Sequence, residues 1–331
     1  AALENGKYAL CYASGMAATD AVAKLLKPGD EVVSTNDLYG GTYRIFTKIF
    51  ERYGIKFTFV NMGDMQEVEK AITPATKMLW IETPTNPVMR IIDIEAAVAI
   101  GKANNLITVV DNTFASPVAQ KPILLGADIV IHSATKYLAG HSDLIAGLVV
   151  TNNEDLGLKI KFIQNASGGI LGPFDSWLVI RGIETLPLRI KQHSENAQKI
   201  AEFLQTQELI NNVYYPGLST HYNHYIAKKQ QNYFGGVVAF DLKIDEKNFA
   251  YEFVKSTKLF SLAESLGGVK SLICLPCEMT HKSIPFEKRY ASGVTDSLIR
   301  LSVGLEDVED LIQDFKSALN IIKNKLIIKS I

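Results

Sequence analysis

The segment Ser133-Ala134-Thr135-Lys136-Tyr137-Leu138-Ala139-Gly140-His141-Ser142-Asp143 sets one lysine just after an apolar run, among hydroxyl side chains; Asp111-Asn112-Thr113 closes the apolar run before it. A lysine that forms a Schiff base needs an amine able to shed its proton, and a pyridinium electron sink needs a carboxylate at its ring nitrogen. Lys136 and Asp111 supply one of each, so the pair reads as a pyridoxal phosphate (PLP) site. Ser14-Gly15-Met16-Ala17-Ala18 follows an earlier apolar run and opens a helical pattern, where free amides and the helix dipole attract an anion such as a phosphate. Taken alone that stretch reads first as an ordinary N-cap. Ser133 and Thr135, one strand period apart, either add two hydroxyl donors to the same phosphate or cap the strand end.

Residues so far apart need a scaffold that gathers them. Short β-branched runs at 7–13, 31–35, 56–60, 77–82, 107–111, 128–132 and 145–150 alternate with helical patterns at 15–26, 40–53, 65–72 and 94–104. Such alternation predicts a mostly parallel sheet covered on both faces, with functional groups at the carboxyl ends of its strands. Ser14, Tyr39, Asn86, Asp111 and Lys136 each follow such a run within a few residues. A long helical pattern starts near 173 and carries Pro187, which should interrupt it because proline lacks an amide donor. The expected division is therefore a cofactor-binding domain over 1–182 and a smaller α+β domain over 183–331. The second has strands at 236–242, 260–264, 272–275 and 297–303 and a final helix near 307–326.

Composition narrows the function classes. The 331 residues are 47% apolar, and 34 basic side chains nearly balance 35 acidic ones. No field draws this chain to nucleic acid or an anionic membrane, and small-molecule partners are expected. The first residues lack a signal pattern and no apolar stretch has membrane-spanning length, so cytoplasm is the expected compartment. Cys11, Cys274 and Cys277 are too few for a disulfide framework and fit a reducing environment. The chain starts without Met, and an amino-terminal segment is expected to be missing from it.

SATKYLAGHSD, with DNTFASP, ETPTNP, DLYGGTYR, SLAESLGG and LIRLSVGLED, resembles the Cys/Met-metabolism family of PLP enzymes, from residue 1 to about 320. The resemblance implies an aspartate aminotransferase-like fold (fold type I, α/β) and a homotetramer built of dimers that share active sites. In relatives an amino-terminal arm supplies a Tyr and an Arg to the neighbour's cofactor phosphate, and nothing in this chain stands in for them. Lys136 is implied as the Schiff-base lysine and proton carrier, Asp111 as partner of the ring nitrogen, and Tyr39 as the stacking and proton-exchanging tyrosine. Gly15, Met16, Ser133 and Thr135 are implied at the cofactor, and Asn86 beside both cofactor and substrate carboxylate. Arg44 and Ser265 fall near the substrate. Arg300 lies in an apolar strand pattern where a guanidinium is costly unless paired, which a bidentate clamp on a carboxylate would explain.

Glu264 bears most on the reaction. By the resemblance, γ-acting cystathionine enzymes carry glutamate here and methionine γ-lyase an apolar residue, so cystathionine chemistry is implied. The implied activity is γ-replacement on an O-acylhomoserine by cysteine, the cystathionine γ-synthase reaction. The γ-lyase reaction is the alternative, with methionine γ-lyase and cystathionine β-lyase behind it. Of the readings from other classes, a cofactor-free Schiff-base lyase leaves Asp111 and the phosphate loop without work, and a non-catalytic binding protein leaves the buried charges unexplained. Cys274-Leu-Pro-Cys277 lacks the second pair of a zinc site, and His221 and His224 read as a surface helix, so no metal is expected. His132 and His141 read as positioning groups around Lys136.

Overall fold

Strands covered on both faces should be apolar almost throughout, and those of the first half are. In the computed structural model, which describes residues 1–282 and 286–329, the chain divides into two compact units. Unit 1 comprises residues 1–86, 90–186 and 225–233; unit 2 comprises 87–89, 187–224 and 234 onward.

Unit 1 contains, in chain order, β1 (Tyr8–Tyr12), α1 (Gly15–Ala23), β2 (Glu31–Thr35), α2 (Gly40–Lys48), β3 (Lys56–Val60), α3 (Met65–Ala71) and β4 (Thr76–Glu82). There follow α4 (Ile94–Ala103), β5 (Ile107–Asp111), α5 (Ser116–Ala119), β6 (Ile129–Ser133), β7 (Gly147–Thr151), α6 (Glu154–Ser167) and α7 (Pro173–Glu184). The sheet order is β1-β7-β6-β5-β4-β2-β3, parallel except where β7 meets β6 and β1. Successive side chains alternate between its faces. Val32, Trp80 and Val109 pack with Val22 of α1, Phe46 of α2 and Ile160 of α6, while Val33, Leu79 and Val110 pack with Val68 of α3 and Ala97 and Val98 of α4. Helix starts follow local chemistry: Ser14, Asp64, Asp93 and Asn153 each accept an amide of the first turn.

Unit 2 begins with α8 (Leu186–Gln205) and β8 (Ile210–Tyr214); α9 (His224–Gln230) lies, after its first residue, in unit 1. Then come β9 (Val237–Leu242), α10 (Lys247–Ser256), β10 (Ser261–Leu262), β11 (Leu272–Cys274), α11 (Phe286–Ala291), β12 (Leu298–Ser302) and α12 (Val308–Lys329). Its five strands run β10-β11-β12-β9-β8 over an aromatic core of Phe240, Phe253, Phe260 and Phe315.

Two local readings change and one holds. Strand β8 escaped the sequence pattern because Asn211 and Asn212 break its alternation; both are exposed. The helical pattern around Pro187 is interrupted as expected: α7 ends at Glu184, and Pro187 is the second residue of α8, where no amide donor is needed. His221 is no surface residue but 7% exposed, its Nε2 3.1 Å from the Met89 carbonyl oxygen, and burial pushes its pKa down to about 4. No cluster of metal-ligating side chains and no membrane-length apolar helix occurs among the described residues.

Candidate functional site

Strand direction decides which chain ends meet. Strands β2, β4, β5 and β6 are parallel, and β1, antiparallel to β7, which is itself antiparallel to β6, runs the same way as β6. The segments after β1, β2, β4, β5 and β6 therefore all leave from one edge of the sheet. That edge carries Gly15, Met16, Tyr39, Asn86, Asp111, Ser133, Thr135 and Lys136. The chain steps outward from β2 to β3 and then returns to β4 on the other side of β2. A reversal of this kind opens a crevice at the carboxyl ends.

Ser14 caps α1, its Oγ accepting from Ala17 N at 3.0 Å. This was the plain reading of the stretch, and it leaves the Gly15 and Met16 amides, at the start of the helix, without intrahelical acceptors. Gly147 makes the arrangement possible. It stands in β7 directly between Tyr12 of β1 and Ser133 of β6, and a Cβ there would lie 2.1 Å from the Ser14 carbonyl oxygen. Only glycine lets the Ser14–Gly15 peptide lie over the strand at this distance. A glycine inside a strand pattern signals such an approach, and this one went unread.

Asp111 ends β5 half-buried. Its Oδ1 accepts the Thr113 amide at 3.0 Å and the Thr113 hydroxyl at 2.5 Å, and Thr113 Oγ1 accepts Ser133 N at 2.8 Å. Burial pushes the Asp111 carboxyl up, against the bonds from Thr113 and the field of His132, which pull it down. His132 is itself tied at 2.6 Å to buried Glu4, whose Oε1 also takes Asn112 Nδ2 at 2.7 Å. His141 packs its Nδ1 against the Ala139 carbonyl oxygen at 2.7 Å.

Lys136 is half-buried in the turn after β6, its amide donating to the Ser133 carbonyl and its carbonyl accepting from Gly140. The Thr135 hydroxyl is engaged by the Ala146 carbonyl and amide at 3.2 and 3.1 Å, which holds this turn to the start of β7. Tyr39, 45% exposed, lays its ring over Gly41: a Cβ on Gly41 would stand 2.3 Å from the ring and 3.0 Å from Met16 Sδ. Asn86 is buried after Thr83-Pro84-Thr85, and Arg44 projects exposed from α2. Two acids were missed, Glu82 and Asp37, both 3% exposed. Their signal was an acidic residue at the end of an apolar run, the same signal that marked Asp111.

These residues fit PLP. Cramped glycines carry the peptide of an open helix start, a carboxylate held up by burial suits a pyridinium, and an aromatic face stands beside them. Buried Glu82 also keeps Oε1 without a partner, the mark of a site that a ligand completes.

Unit 2 holds the remaining candidates. Arg300, 2% exposed in β12, donates from Nη2 to the Ser265 carbonyl oxygen at 2.9 Å. Ser265 has φ +90°, a conformation costly for a residue with a Cβ. Glu264 beside it is exposed. Cys274 lies opposite Arg300 in the β11–β12 register, and burial raises both Cys274 and Cys277, so neither is a reactive thiolate.

A family model described as Cys/Met metabolism PLP-dependent enzyme matches residues 1–320. The chain is 52% identical over 317 residues to a cystathionine gamma-lyase of Bacillus subtilis, covering 96% of this chain and 83% of that one. It is 51% identical to a cystathionine beta-lyase of Lactococcus lactis subsp. cremoris, with the same coverage. Among solved structures, cystathionine gamma-lyase from Lactobacillus plantarum, complexed with L-serine, superposes with a TM-score of 0.95 at 45% identity, covering 97% of this chain and 84% of that chain.

Proposed function

The chain belongs to the Cys/Met-metabolism family of PLP-dependent enzymes, and from that premise we propose that it acts at the γ-carbon of four-carbon amino acids, with cystathionine as product or substrate. The observation that carries this reading is in unit 2. Exposed Glu264 adjoins Ser265, whose carbonyl binds buried Arg300, so an acceptor for ammonium and a donor for carboxylate stand on neighbouring positions. Cystathionine carries both groups at both of its ends, which a methionine side chain does not.

Bound PLP supplies a carbonyl for exchange with amines and a ring that spreads the negative charge developing on a substrate carbon. Lys136 is the amine that holds the cofactor and afterwards takes and returns protons at Cα and Cβ of the substrate. Asp111, anchored by Thr113, is the carboxylate that keeps the ring nitrogen protonated. The open amides of Gly15 and Met16 and the hydroxyls of Ser133 and Thr135 serve the phosphate, with Thr135 sharing its hydroxyl with Ala146. Tyr39 gives a flat face to the ring and a hydroxyl for proton exchange. In unit 1, Asn86 and Arg44 are the groups offered to a substrate carboxylate; in unit 2, Ser265 and Arg300 present a carboxylate donor and Glu264 an ammonium acceptor. Synthesis comes first in this reading: γ-replacement of an O-acylhomoserine by cysteine. The second reading, γ-elimination of cystathionine to cysteine, 2-oxobutyrate and ammonia, is favoured by the 52% identity to a gamma-lyase.

Yellow absorbance of the purified protein, bleached by borohydride and absent from Lys136→Ala with a roughly 10⁴-fold loss of activity, tests the cofactor assignment; a colourless wild type sinks it. Product analysis with O-succinyl- or O-acetylhomoserine plus cysteine, against cystathionine alone, separates the two directions. We also propose a homo-oligomer, supported by exposed Phe162, Phe174, Trp177 and Ile180 on α6 and α7. Sedimentation at micromolar concentration checks it, and a monomer there overturns it.

A further inference from the structure

At the switch point between β2 and β4 three acids share one edge. Glu82 ends β4 and stands in register with Asp111 at the end of β5, and adjacent parallel strands put registered side chains on the same face of the sheet. Asp37 lies just past β2, its Oδ2 accepting the Thr85 hydroxyl at 2.6 Å. Glu82 Oε2 accepts the Tyr39 amide at 2.8 Å, the residue that precedes the first turn of α2. Its Oε1 is buried with no partner. Two adjacent charged carboxylates would repel each other strongly in a site of low polarity, so one must be neutral.

We propose that Glu82 is a positioning residue for the cofactor. It stays a neutral carboxyl, so that Asp111 alone carries the negative charge at this edge, and its acceptor oxygen fixes the turn that presents the Tyr39 ring. This inference rests on the PLP reading above and adds a residue to it. The groups that act on Glu82 are Asp111 from β5 and Asp37 and Tyr39 from the segment after β2, and each of the two acids opposes its ionisation. Arg90 acts on Asp37 and His132 on Asp111, so the nearby positive charges serve the other two acids. Burial is the largest cause holding Glu82 well above the usual carboxylate range.

Glu82→Gln and Glu82→Ala separate the two parts of the role. Glutamine is permanently neutral and keeps an acceptor for the Tyr39 amide; alanine keeps neither the shape nor the acceptor. PLP binding to the cofactor-free protein, followed by absorbance from pH 6 to 10, should weaken for wild type at the alkaline end, by up to about tenfold per pH unit as one group ionises. Glu82→Gln should match wild type within about threefold near pH 7 and lose that additional alkaline weakening. Glu82→Ala should bind at least about tenfold more weakly throughout. Thermal melting of the cofactor-free proteins gives an independent readout: Glu82→Gln should gain on wild type as pH rises above the ordinary carboxylate value of 4.5, because unfolded wild type releases a proton there that the folded chain keeps. Glutamine that binds as poorly as alanine at pH 7, or that keeps the wild-type alkaline limb in both readouts, overturns the role. Wild type that takes up no PLP overturns the cofactor reading and the positioning role with it.

Discussion

In unit 2, Asp241 is 4% exposed and both its oxygens are used: Oδ1 accepts the Thr295 hydroxyl at 2.8 Å and Oδ2 the Tyr214 hydroxyl at 2.6 Å. Asp314 there accepts the Lys258 and Leu259 amides, and Glu306 accepts the Ser271 amide and hydroxyl. In unit 1, Glu82 is equally buried but keeps one oxygen unpartnered, and Asp111, which accepts the amide and hydroxyl of Thr113 on Oδ1, stands beside it. The difference separates acids that hold the chain together from acids kept for a ligand. The first kind gains from every bond it makes; of the second, Asp111 is strained until something cationic arrives, while Glu82 stays neutral.

Paired truncations break this comparison most sharply. Asp111→Ala should cost roughly 10²-fold or more in activity, as loss of one preorganised electrostatic group does. The cofactor-free protein should lose less stability than Asp241→Ala does, since loss of the Thr113 bonds is offset by removal of a desolvated carboxyl. Asp241→Ala should do the reverse: about 2–3 kcal/mol of stability lost because two hydroxyls lose their acceptor, with kcat nearly unchanged in the folded fraction. Denaturant unfolding and steady-state kinetics on both variants decide the matter. Asp111→Ala destabilised as much as Asp241→Ala would place that acid with the structural ones.

The sequence carried much of unit 1 because its signals are local. EVVST and MLWIE are runs buried on both faces, and the candidate residues fall where those runs end. Unit 2 was less legible: INNVY shows no alternation because β8 lies at the sheet edge with half its residues facing outward. What stayed hidden even in unit 1 were relations across strands. Nothing near Glu82 in sequence says that its carboxyl meets the Tyr39 amide 43 residues away. The cap at Ser14 was visible, yet the reason it can lie beside Ser133 is Gly147, more than a hundred residues later. Such close approaches are fixed by packing of distant segments, which a linear pattern does not encode.

Gly147 sharpens the contrast at an intermediate size. Gly147→Ala adds one methyl where the Ser14 carbonyl oxygen stands 2.1 Å away, so the Ser14–Gly15 peptide must shift. Overpacking of this kind costs about 1–3 kcal/mol. The same shift moves the amides offered to the phosphate, so PLP affinity should fall about tenfold with kcat of the loaded enzyme less affected. An unchanged PLP titration would show that these amides do not hold the phosphate.

Acid titration resolves the two units by the sign of a small slope. His193 in unit 2 is fully buried, its Nδ1 donating to the Val303 carbonyl oxygen at 2.7 Å, and burial pushes its pKa down to about 4. An unfolded histidine titrates near its ordinary 6.5, so between those values the unfolded chain holds a proton that the folded one refuses. Stability from His193 is thus complete above 6.5 and is lost as pH falls toward 4. Asp37 in unit 1 does the opposite, because burial lifts it to about 7 despite its bond from Thr85. Between its ordinary value of 3.8 and 7 the folded chain holds the extra proton, and stability rises as pH falls. Each slope is at most about 1.4 kcal/mol per pH unit. Melting temperatures of His193→Gln and Asp37→Asn, each taken relative to wild type from pH 7 to 4.5, should therefore diverge. The histidine variant gains on wild type toward acid and the aspartate variant loses. Slopes of the same sign would mean that one of the two groups does not titrate as its burial requires.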